Sequence, residues 1–391
     1  MNLSFWEKDI FIQRPQYLVI GAGLVGMNAA IFLRQKDPSA DVLVIDSRPF
    51  PGQASLRNAG FACFGSMTEL LADEAENGMD AMLSLVEKRW RGLQNMLTRL
   101  ERQRIDFQPL GGLELFQAKD EETYQNCANH LERINRHLGE ITGLEQCFSL
   151  YPEGISQNGL GRSRHLIRNQ AEGQLHPGKM MAAWYDLARE AGVRFLFGLR
   201  VESIVAGGPQ VDVQTDQLGV LKAEKVLVAT NGLTNQFFPQ KGLTAVRNQV
   251  LLTTAVPNLQ LSGSFHYREG YVYFRNVGNR VLLGGARDVD VPTETTDEFG
   301  FTDVVQSDLY QLMNEVILPN QAWAIEHQWS GILGMGPQKS PIIQSPLPGV
   351  YLAVRLGGMG VAIGSLVGEE VARLMLGEKD GINQAIDSFN P

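Results

Sequence analysis

Three glycines and one carboxylate near the amino terminus have the spacing of a nucleotide-binding turn. The glycines are Gly21, Gly23 and Gly26, and Asp46 lies twenty residues after the last of them. The first glycine allows a tight turn, the second lets backbone approach a pyrophosphate, and the third lets a helix pack closely on a sheet. A carboxylate at that distance can accept hydrogen bonds from ribose hydroxyls. The four residues together predict that the chain binds a dinucleotide.

The residues around this motif predict the elements that position it. An apolar segment, Tyr17–Ile20, precedes the first glycine, and another, Val42–Ile45, precedes Asp46. Between them a helical pattern begins within the motif and continues through Phe32. A strand, a helix and a second strand in this order bring the unpaired N–H groups of the helix start to the phosphates of the ligand.

A second glycine turn lies near the carboxyl end of the chain. Gly357-Gly358-Met359-Gly360 follows the apolar strand 350–354 and precedes a helical pattern over 361–376. Such a turn can place a positive helix end beside an electron-rich group. It can also serve only as a tight connection that needs glycine for its backbone angles. The presence of the amino-terminal motif favours the first interpretation.

Composition narrows the possible functions. A length of 391 residues predicts two domains, and a net charge of −9 disfavours nucleic acid as the main partner. The first residues lack the pattern of a signal peptide, and no apolar run is long enough for a membrane span, so we expect a cytoplasmic protein without stable membrane insertion.

The cysteines and histidines show no metal-binding spacing, so the sequence predicts no metal site. The three cysteines are Cys63, Cys127 and Cys147, and the histidines nearest the motifs are His176, His266 and His327. Cys127 lies on the apolar stripe of a predicted helix, where a small buried side chain is expected. Cys63 is interpreted as small packing rather than as a catalytic thiol.

The whole set of motifs resembles the D-amino-acid oxidase, glycine oxidase and sarcosine oxidase family of flavoproteins. The resemblance runs over nearly the whole chain and is sharpest at five places. These are residues 21–46, residues 55–60 (Ser-Leu-Arg-Asn-Ala-Gly), residues 173–177 (Gly-Gln-Leu-His-Pro), residues 229–232 (Ala-Thr-Asn-Gly), and Trp329-Ser330-Gly331 together with the second glycine turn.

The resemblance implies an α/β fold: a Rossmann-like FAD-binding domain with a discontinuous second α+β substrate domain, built on a largely antiparallel sheet. The FAD-binding domain would comprise residues 1–75, 150–240 and 326–391. The substrate or cap domain would comprise residues 76–149 and 241–325. Such a discontinuous plan suits a large cofactor held between two domains.

The resemblance also implies which residues hold FAD. Asp46 would bind the adenosine ribose, Val201 would meet the adenine through its backbone, and the second glycine turn would lie at the pyrimidine edge of the flavin. The full implied set is Gly21, Gly23, Leu24, Val25, Gly26, Asp46, Ser47, Arg48, Ala54, Ser55, Arg57, Asn58, Ala59, Val201, Ala229, Gly232, Gly331, Leu333, Gly358, Met359, Gly360 and Val361. Residues 331–335 contain no cysteine and no histidine precedes His130, so we expect non-covalent FAD.

The implied chemistry is oxidation of a carbon–nitrogen bond by hydride transfer to flavin N5, with a small amine or amino acid as the substrate. Tyr271 would contact the substrate, Tyr273 is the second choice, and Met359 would lie beside the reacting ring. Either tyrosine could instead fill a sheet surface.

Two departures from the family pattern bear on the substrate. Leu333 stands where amino-acid oxidases of the family carry an arginine for the substrate carboxylate, and residues 361–363 (Val-Ala-Ile) lack the lysine of the sarcosine oxidase branch. The double absence favours a plain amine, unless Arg162, Arg268 or Arg275 supplies the contact. A 2-hydroxy-acid oxidoreductase and a non-catalytic flavin-binding protein are the alternatives.

Overall fold

The computed structural model describes residues 3–378, which form two compact units. The first unit comprises the chain up to Leu56, Gly178–Ala245 and the chain from Leu333 onward, and the second comprises Arg57–Pro177 and Val246–Ile332. Residues 57–75 and 150–177, which the sequence-based division assigned to the FAD-binding domain, pack in the second unit. The assignment of FAD binding to particular segments stays a prediction, and its outermost residues, 1–2 and 379–391, lie outside the described residues.

The first unit is built on a six-stranded sheet. Its strands, in spatial order, are Ile342–Leu347, Val350–Val354, Lys225–Val228, Tyr17–Ile20, Val42–Asp46 and Arg194–Phe197. Tyr17–Ile20 pairs in parallel with a strand on each side, and all four of its residues are buried. A continuous apolar run is typical of a central parallel strand that is covered on both faces. On one face, Leu18 and Ile20 pack in a common core with Val211, Val213 and Leu221, which belong to a small antiparallel sheet. The amino-terminal strand bounds predicted from the sequence are therefore confirmed.

Helices and a small sheet complete the first unit. The helices are Phe5–Phe11, Leu24–Lys36, Pro177–Glu190 and Gly360–Leu376, with a 3₁₀ segment at Asn231–Gln236. We call Leu24–Lys36 the first-turn helix and Gly360–Leu376 the second-turn helix, because each follows a glycine turn. The small antiparallel sheet consists of Val201–Ala206, Val211–Thr215 and Gly219–Ala223. The chain passes from this sheet to the large one at Glu224, because Gly219–Ala223 belongs to the small sheet and Lys225–Val228 to the large one.

The second unit is built on an eight-stranded sheet. Its strands, in spatial order, are Ile325–Met335, Thr244–Thr253, Arg280–Gly285, Val272–Val277, Ser264–Tyr267, Gly112–Gln117, Ser163–Asn169 and Phe148–Leu150. Ser264–Tyr267 and Gly112–Gln117 pair in parallel, whereas the neighbouring pairs of the sheet from Thr244–Thr253 to Phe148–Leu150 are otherwise antiparallel. Val272–Val277 and Arg280–Gly285 form a hairpin around Gly278. The largely antiparallel second sheet implied by the resemblance is confirmed.

Helices pack on this sheet. The longer ones are Met67–Asn77, Met79–Arg99, Glu121–Thr142 and Asp303–Leu312, which continues into a π-helical turn, Met313–Ile317. Shorter elements are the helices Ala54–Arg57, Gly154–Gln157 and Val291–Glu294, the 3₁₀ turns Ala118–Asp120 and Arg287–Val289, and a two-stranded ribbon of Phe61–Ala62 with Gly173–Gln174. Cys127 is buried on the apolar face of Glu121–Thr142, as its position in the stripe predicted.

Within residues 3–378, no helix is both long and apolar enough to cross a lipid bilayer. The cytoplasmic location expected from the sequence stays a prediction.

Candidate active site

The first glycine turn has a shape that side chains would block. Gly21 has φ of +107°, and a Cβ there would lie 2.8 Å from the carbonyl oxygen of Ala229. A Cβ on Gly26 would lie 2.0 Å from the carbonyl oxygen of Gly21, so only glycine lets the first-turn helix approach the turn this closely. The turn therefore presents bare backbone at the start of a helix, which is the arrangement that binds phosphates.

Asp46 ties this turn to the end of the second strand. Its Oδ2 accepts a hydrogen bond from the backbone N–H of Ala22 at 2.8 Å, and its Oδ1 accepts one from that of Arg48 at 2.9 Å. Burial raises the pKa of Asp46, although both hydrogen bonds oppose that rise. Ser55 Oγ accepts a hydrogen bond from the N–H of Leu24 at 3.1 Å, so the segment after Asp46 returns to the helix start.

The two helices that follow glycine turns lie side by side and run in the same direction. Near their starts, a Cβ on Gly364 would lie 2.9 Å from Leu24 Cβ. Further along, the Arg373 guanidinium lies 4.7 Å from the centre of the Phe32 ring. Early residues of one helix contact early residues of the other, and later residues contact later ones. The amino termini of both helices are therefore at the same end of the first unit. The positive ends of two helix dipoles are therefore neighbours, which favours a bound anion.

The second glycine turn and residues 229–232 are joined around Asn231. Asn231 Oδ1 accepts a hydrogen bond from the N–H of Arg355 at 3.0 Å, and a Cβ on Gly334 would lie 2.5 Å from that same oxygen. Gly357 and Gly358 both have positive φ, at +57° and +80°, directly before the second-turn helix. The backbone N–H of Ala229 donates to the carbonyl of Ile20 at 2.9 Å, which brings this segment to the first glycine turn as well.

Four further predicted cofactor residues of the first unit differ in burial and contacts. Val201 is buried at the start of its strand, Gly232 is buried in the 3₁₀ segment, and Leu333 is partly buried in Ile325–Met335. The Arg48 guanidinium lies over the Phe50 ring at 5.6 Å, and its buried Nε has no hydrogen-bond partner among residues 3–378.

In the second unit, two motifs that are far apart in sequence meet at Arg57. The indole N–H of Trp329 donates to the carbonyl of Arg57 at 2.9 Å, and Arg57 Nη1 donates to the carbonyl of Ser330. A Cβ on Gly331 would lie 3.3 Å from Arg57 Cβ. Asn58 Oδ1 accepts from the N–H of Gly60 at 2.8 Å, which holds the segment that follows in a tight turn.

Tyr273 and Arg275 share one face of the eight-stranded sheet. The Tyr273 ring lies against Gly284, where a Cβ would be 2.7 Å from Cε2, and burial raises the pKa of Tyr273 to about 12. Arg275 has 6% of its surface exposed, and burial lowers its pKa to about 10. Its Nε has no hydrogen-bond partner among the described residues, and the charge of Asp106 partly opposes the lowering of its pKa. The burial of this arginine was not predicted from the sequence.

Tyr271 has different surroundings from Tyr273. It lies before the strand Val272–Val277 and lines a cavity of about 330 Å³ that also contains Glu114, Tyr267 and Asp288. The Arg287 guanidinium lies 4.4 Å from the centre of the Tyr271 ring. Burial raises the pKa of Glu114 to about 7, although hydrogen bonds from the Thr68 side chain and backbone oppose that rise.

A further cluster in the second unit was not predicted from the sequence. The Cys63 sulfur, a carboxylate oxygen of Glu172 and an imidazole nitrogen of His266 lie within 4.8 Å of one another, and all three residues are buried. Burial raises the pKa of the Cys63 thiol. Burial disfavours the charged form of His266, but its contacts with Cys63 and Glu172 raise its pKa well above the usual range. No short-range pattern joins these residues, because they are separated by about a hundred positions each.

Comparisons with known proteins agree with this architecture. Residues 16–374 match the model of the DAO family, described as FAD dependent oxidoreductase. A probable oxidoreductase, OrdL, of Rhizobium meliloti is 25% identical over 386 residues, which are 95% of this chain and 86% of the relative. Two other curated relatives are matched over 49% and 53% of their own lengths.

Solved structures of two oxidases have a similar fold. The glycine oxidase of Geobacillus kaustophilus superposes with a TM-score of 0.76 at 17% identity, over 95% of this chain and 97% of that one. The iminodiacetate oxidase of Chelativorans superposes with a TM-score of 0.76 at 18% identity, over 96% of this chain and 98% of that one. At such identities the likeness shows the fold.

Proposed function

Because the chain belongs to the DAO family of FAD-dependent oxidoreductases, we propose that it oxidises a CH–NH bond of a small amine, amino acid or N-methylated amine, with FAD bound non-covalently. The single observation that supports this most is the match of nearly the whole chain to the family. FAD supplies the hydride acceptor in such a reaction, and the protein supplies orientation and a dry site. The relatives named glycine oxidase and iminodiacetate oxidase support a nitrogen-bearing donor.

The residues of the first unit fit the chemistry of FAD. A glycine turn with bare backbone suits a diphosphate, and two neighbouring positive helix ends suit groups that carry negative charge. Asp46 uses both carboxylate oxygens on backbone N–H groups, yet each oxygen has a further lone pair for a ribose hydroxyl. The unpartnered Nε of Arg48 lies two residues further on and suits the adenosine end. These contacts support the FAD residues predicted from the sequence.

The surroundings of Arg275 support the proposal that the donor carries a carboxylate. Arg162 is bound to Glu315, and Arg268 forms ion pairs with aspartates, so neither side chain is available in the described structure. Arg275 is buried, and its Nε has no hydrogen-bond partner among the described residues. A buried guanidinium is costly unless it binds an anion, and its planar fork fits a carboxylate in a bidentate manner. We therefore favour an amino acid or an N-substituted amino acid over a plain amine.

We propose that Tyr273, on the same sheet face as Arg275, orients the donor. Its hydroxyl is protonated at neutral pH and can donate a hydrogen bond, and burial raises its pKa further, to about 12. Tyr271 and Met359 keep the roles predicted for them: Tyr271 as a substrate contact and Met359 beside the flavin ring.

The test is an anaerobic titration of the purified protein, followed by flavin absorbance. Matched donors that differ only at the reacting group, such as alanine and lactate or N-methylglycine and glycolate, separate a CH–NH donor from a CH–OH donor. We expect the nitrogen compounds alone to bleach the flavin. Precipitation with acid should release all of the FAD into the supernatant, since the proposed binding is non-covalent.

Three other results would contradict the proposal. Bleaching by the hydroxy acids alone would identify a 2-hydroxy-acid oxidoreductase. Bound FAD that no donor of either class reduces would favour a flavin-binding protein without catalysis. Flavin that stays with the precipitate would disprove non-covalent binding.

A further inference from the structure

We propose that Cys63, Glu172 and His266 form a binding site for one zinc ion inside the second unit. A thiol, a carboxylate and an imidazole are the three ligand types that zinc takes from proteins. Their ligand atoms lie within 4.8 Å of one another, and the three residues are 6%, 1% and 5% exposed. His266 is paired with Tyr273 in the neighbouring strand, so the cluster lies beside a residue that we propose orients the donor.

The backbone holds two of the three ligands in fixed positions. Phe61–Ala62 and Gly173–Gln174 pair as a two-stranded ribbon, in which Ala62 is opposite Gly173. Cys63 follows one of these strands directly, and Glu172 precedes the other directly. The ribbon therefore brings the two side chains together although 109 residues separate them.

Glu172 has one oxygen fixed by the backbone and one directed toward the histidine. Its Oε1 accepts hydrogen bonds from the N–H groups of Phe64 at 2.9 Å and Gly65 at 3.2 Å. Its Oε2 lies 3.5 Å from His266 Nε2. A Cβ on Gly112 would lie only 2.0 Å from Oε2, so glycine at that position makes room for the carboxylate. Oε2 is thus the oxygen that would bind a metal.

An unpartnered nitrogen of His266 also indicates a metal site. Nε2 is buried and has no hydrogen-bond partner among residues 3–378. Ligand bonds of about 2.1 Å in a tetrahedron place the ligand atoms about 3.5 Å apart, which is the distance between Nε2 and Glu172 Oε2. On the other side of the ring, Glu69 Oε2 lies 3.9 Å from Nδ1. A carboxylate behind a ligating histidine is a common way to orient the ring.

The charge balance also favours zinc. A zinc dication bound by one thiolate and one carboxylate forms a neutral group, whereas unpaired ionised side chains are costly in a buried site. Binding forms Zn–S, Zn–N and Zn–O bonds, releases to solvent the proton of the Cys63 thiol and any proton on the ligating nitrogen of His266, and transfers no electron. The mixed sulfur, nitrogen and oxygen set suits zinc better than calcium or magnesium, which take oxygen ligands.

The test is metal analysis and zinc-edge X-ray absorption on the holoenzyme expressed with zinc in the medium. We expect about one zinc per chain, with a sulfur neighbour at about 2.3 Å and nitrogen and oxygen neighbours at about 2.0–2.2 Å. Cys63→Ala should remove the sulfur neighbour and lower the zinc content at least tenfold. Cys127→Ala, which changes a buried cysteine on a helix, should leave both unchanged.

Glu172→Gln is a second variant, included because Cys63→Ala could lose zinc simply by failing to fold. It keeps the oxygen that accepts from Phe64 and Gly65 and replaces only the metal-facing oxygen, so we expect normal FAD content and circular dichroism with weakened zinc binding. Zinc well below one per chain after addition of zinc to chelator-treated parent protein would overturn the proposal. Zinc bound equally by the parent, Cys63→Ala and Glu172→Gln proteins would also overturn it, because the ion would then lie elsewhere.

Discussion

Replacing Arg275 by methionine should leave the stability of the protein unchanged or raise it, and should weaken substrate binding. Burial lowers the pKa of Arg275 to about 10, and each tenfold change in an equilibrium constant is worth about 1.4 kcal/mol. The charged side chain therefore costs the folded state on the order of 3 kcal/mol at neutral pH, and this cost fades only as the pH rises through about 10. The Arg275→Met protein should accordingly unfold in urea with a free energy equal to that of the parent or about 1–3 kcal/mol higher.

The same change should weaken binding of a donor that carries a carboxylate. Removing one member of a buried charged pair typically costs about 2–4 kcal/mol, which corresponds to a roughly 30- to 1,000-fold increase in the donor concentration needed for half-maximal flavin reduction. Reduction by a plain amine, if the parent accepts one, should change little. Anaerobic rapid mixing across a range of donor concentrations measures both effects.

Arg268→Met is the matched control. Arg268 lies 3.2 Å from an Asp288 oxygen and 2.7 Å from an Asp308 oxygen, so its removal leaves two carboxylates without their partner and should destabilise the protein. Two results together would contradict the role given to Arg275. The Arg275→Met protein would lose as much stability as this control, and its flavin would be reduced at the same concentrations of a carboxylate donor as the flavin of the parent.

Three further changes test other parts of the structure. Gly26→Ala, whose Cβ would lie 2.0 Å from the Gly21 carbonyl oxygen, should lower FAD content and the thermal unfolding temperature, whereas Gly207→Ala, with nothing within 4 Å, should change neither. Glu114→Gln should be more stable than the parent at pH 8 but similar at pH 5 in thermal unfolding. Burial raises the pKa of Glu114 to about 7, so the unfolded chain loses this proton at lower pH than the folded protein does. The free energy of unfolding therefore has its full contribution from the protonated Glu114 below about pH 4 and loses it as the pH rises to about 7. Asp46→Asn leaves one backbone N–H without its acceptor, so FAD titration by fluorescence should show affinity at least about fivefold weaker; equal affinity would contradict the role given to Asp46.

The sequence predicted best those elements that a few neighbouring residues determine. Tyr17–Ile20 has the predicted bounds, and the second strand, Val42–Asp46, ends one residue beyond the predicted segment. The glycine turn between them has the close approaches that its spacing implies. The second-turn helix begins at Gly360, one residue before the predicted start. In each case a short apolar run bounded by glycine decides the element, and the information lies within a few neighbouring residues.

The sequence predicted least where distant segments meet. Arg275 alternates with apolar neighbours on a strand, which is also the pattern of a surface residue on a half-exposed sheet, so its burial depends on what covers that face. Cys63 and Glu172 become neighbours through the pairing of Phe61–Ala62 with Gly173–Gln174, and His266 joins them from the strand Ser264–Tyr267. Residues 221–228 form two strands because each half finds a different partner sheet. These features depend on tertiary pairing, which local periodicity does not encode.

The measurement that tests the central claim most directly is rapid-mixing reduction of the bound flavin by an amino acid deuterated at the carbon next to nitrogen. Transfer of hydride from that carbon predicts that the flavin bleaches and that the deuterated donor does so several-fold more slowly than the ordinary one. A flavin that stays fully oxidised with every nitrogen-bearing donor, while a hydroxy acid reduces it, would contradict the account.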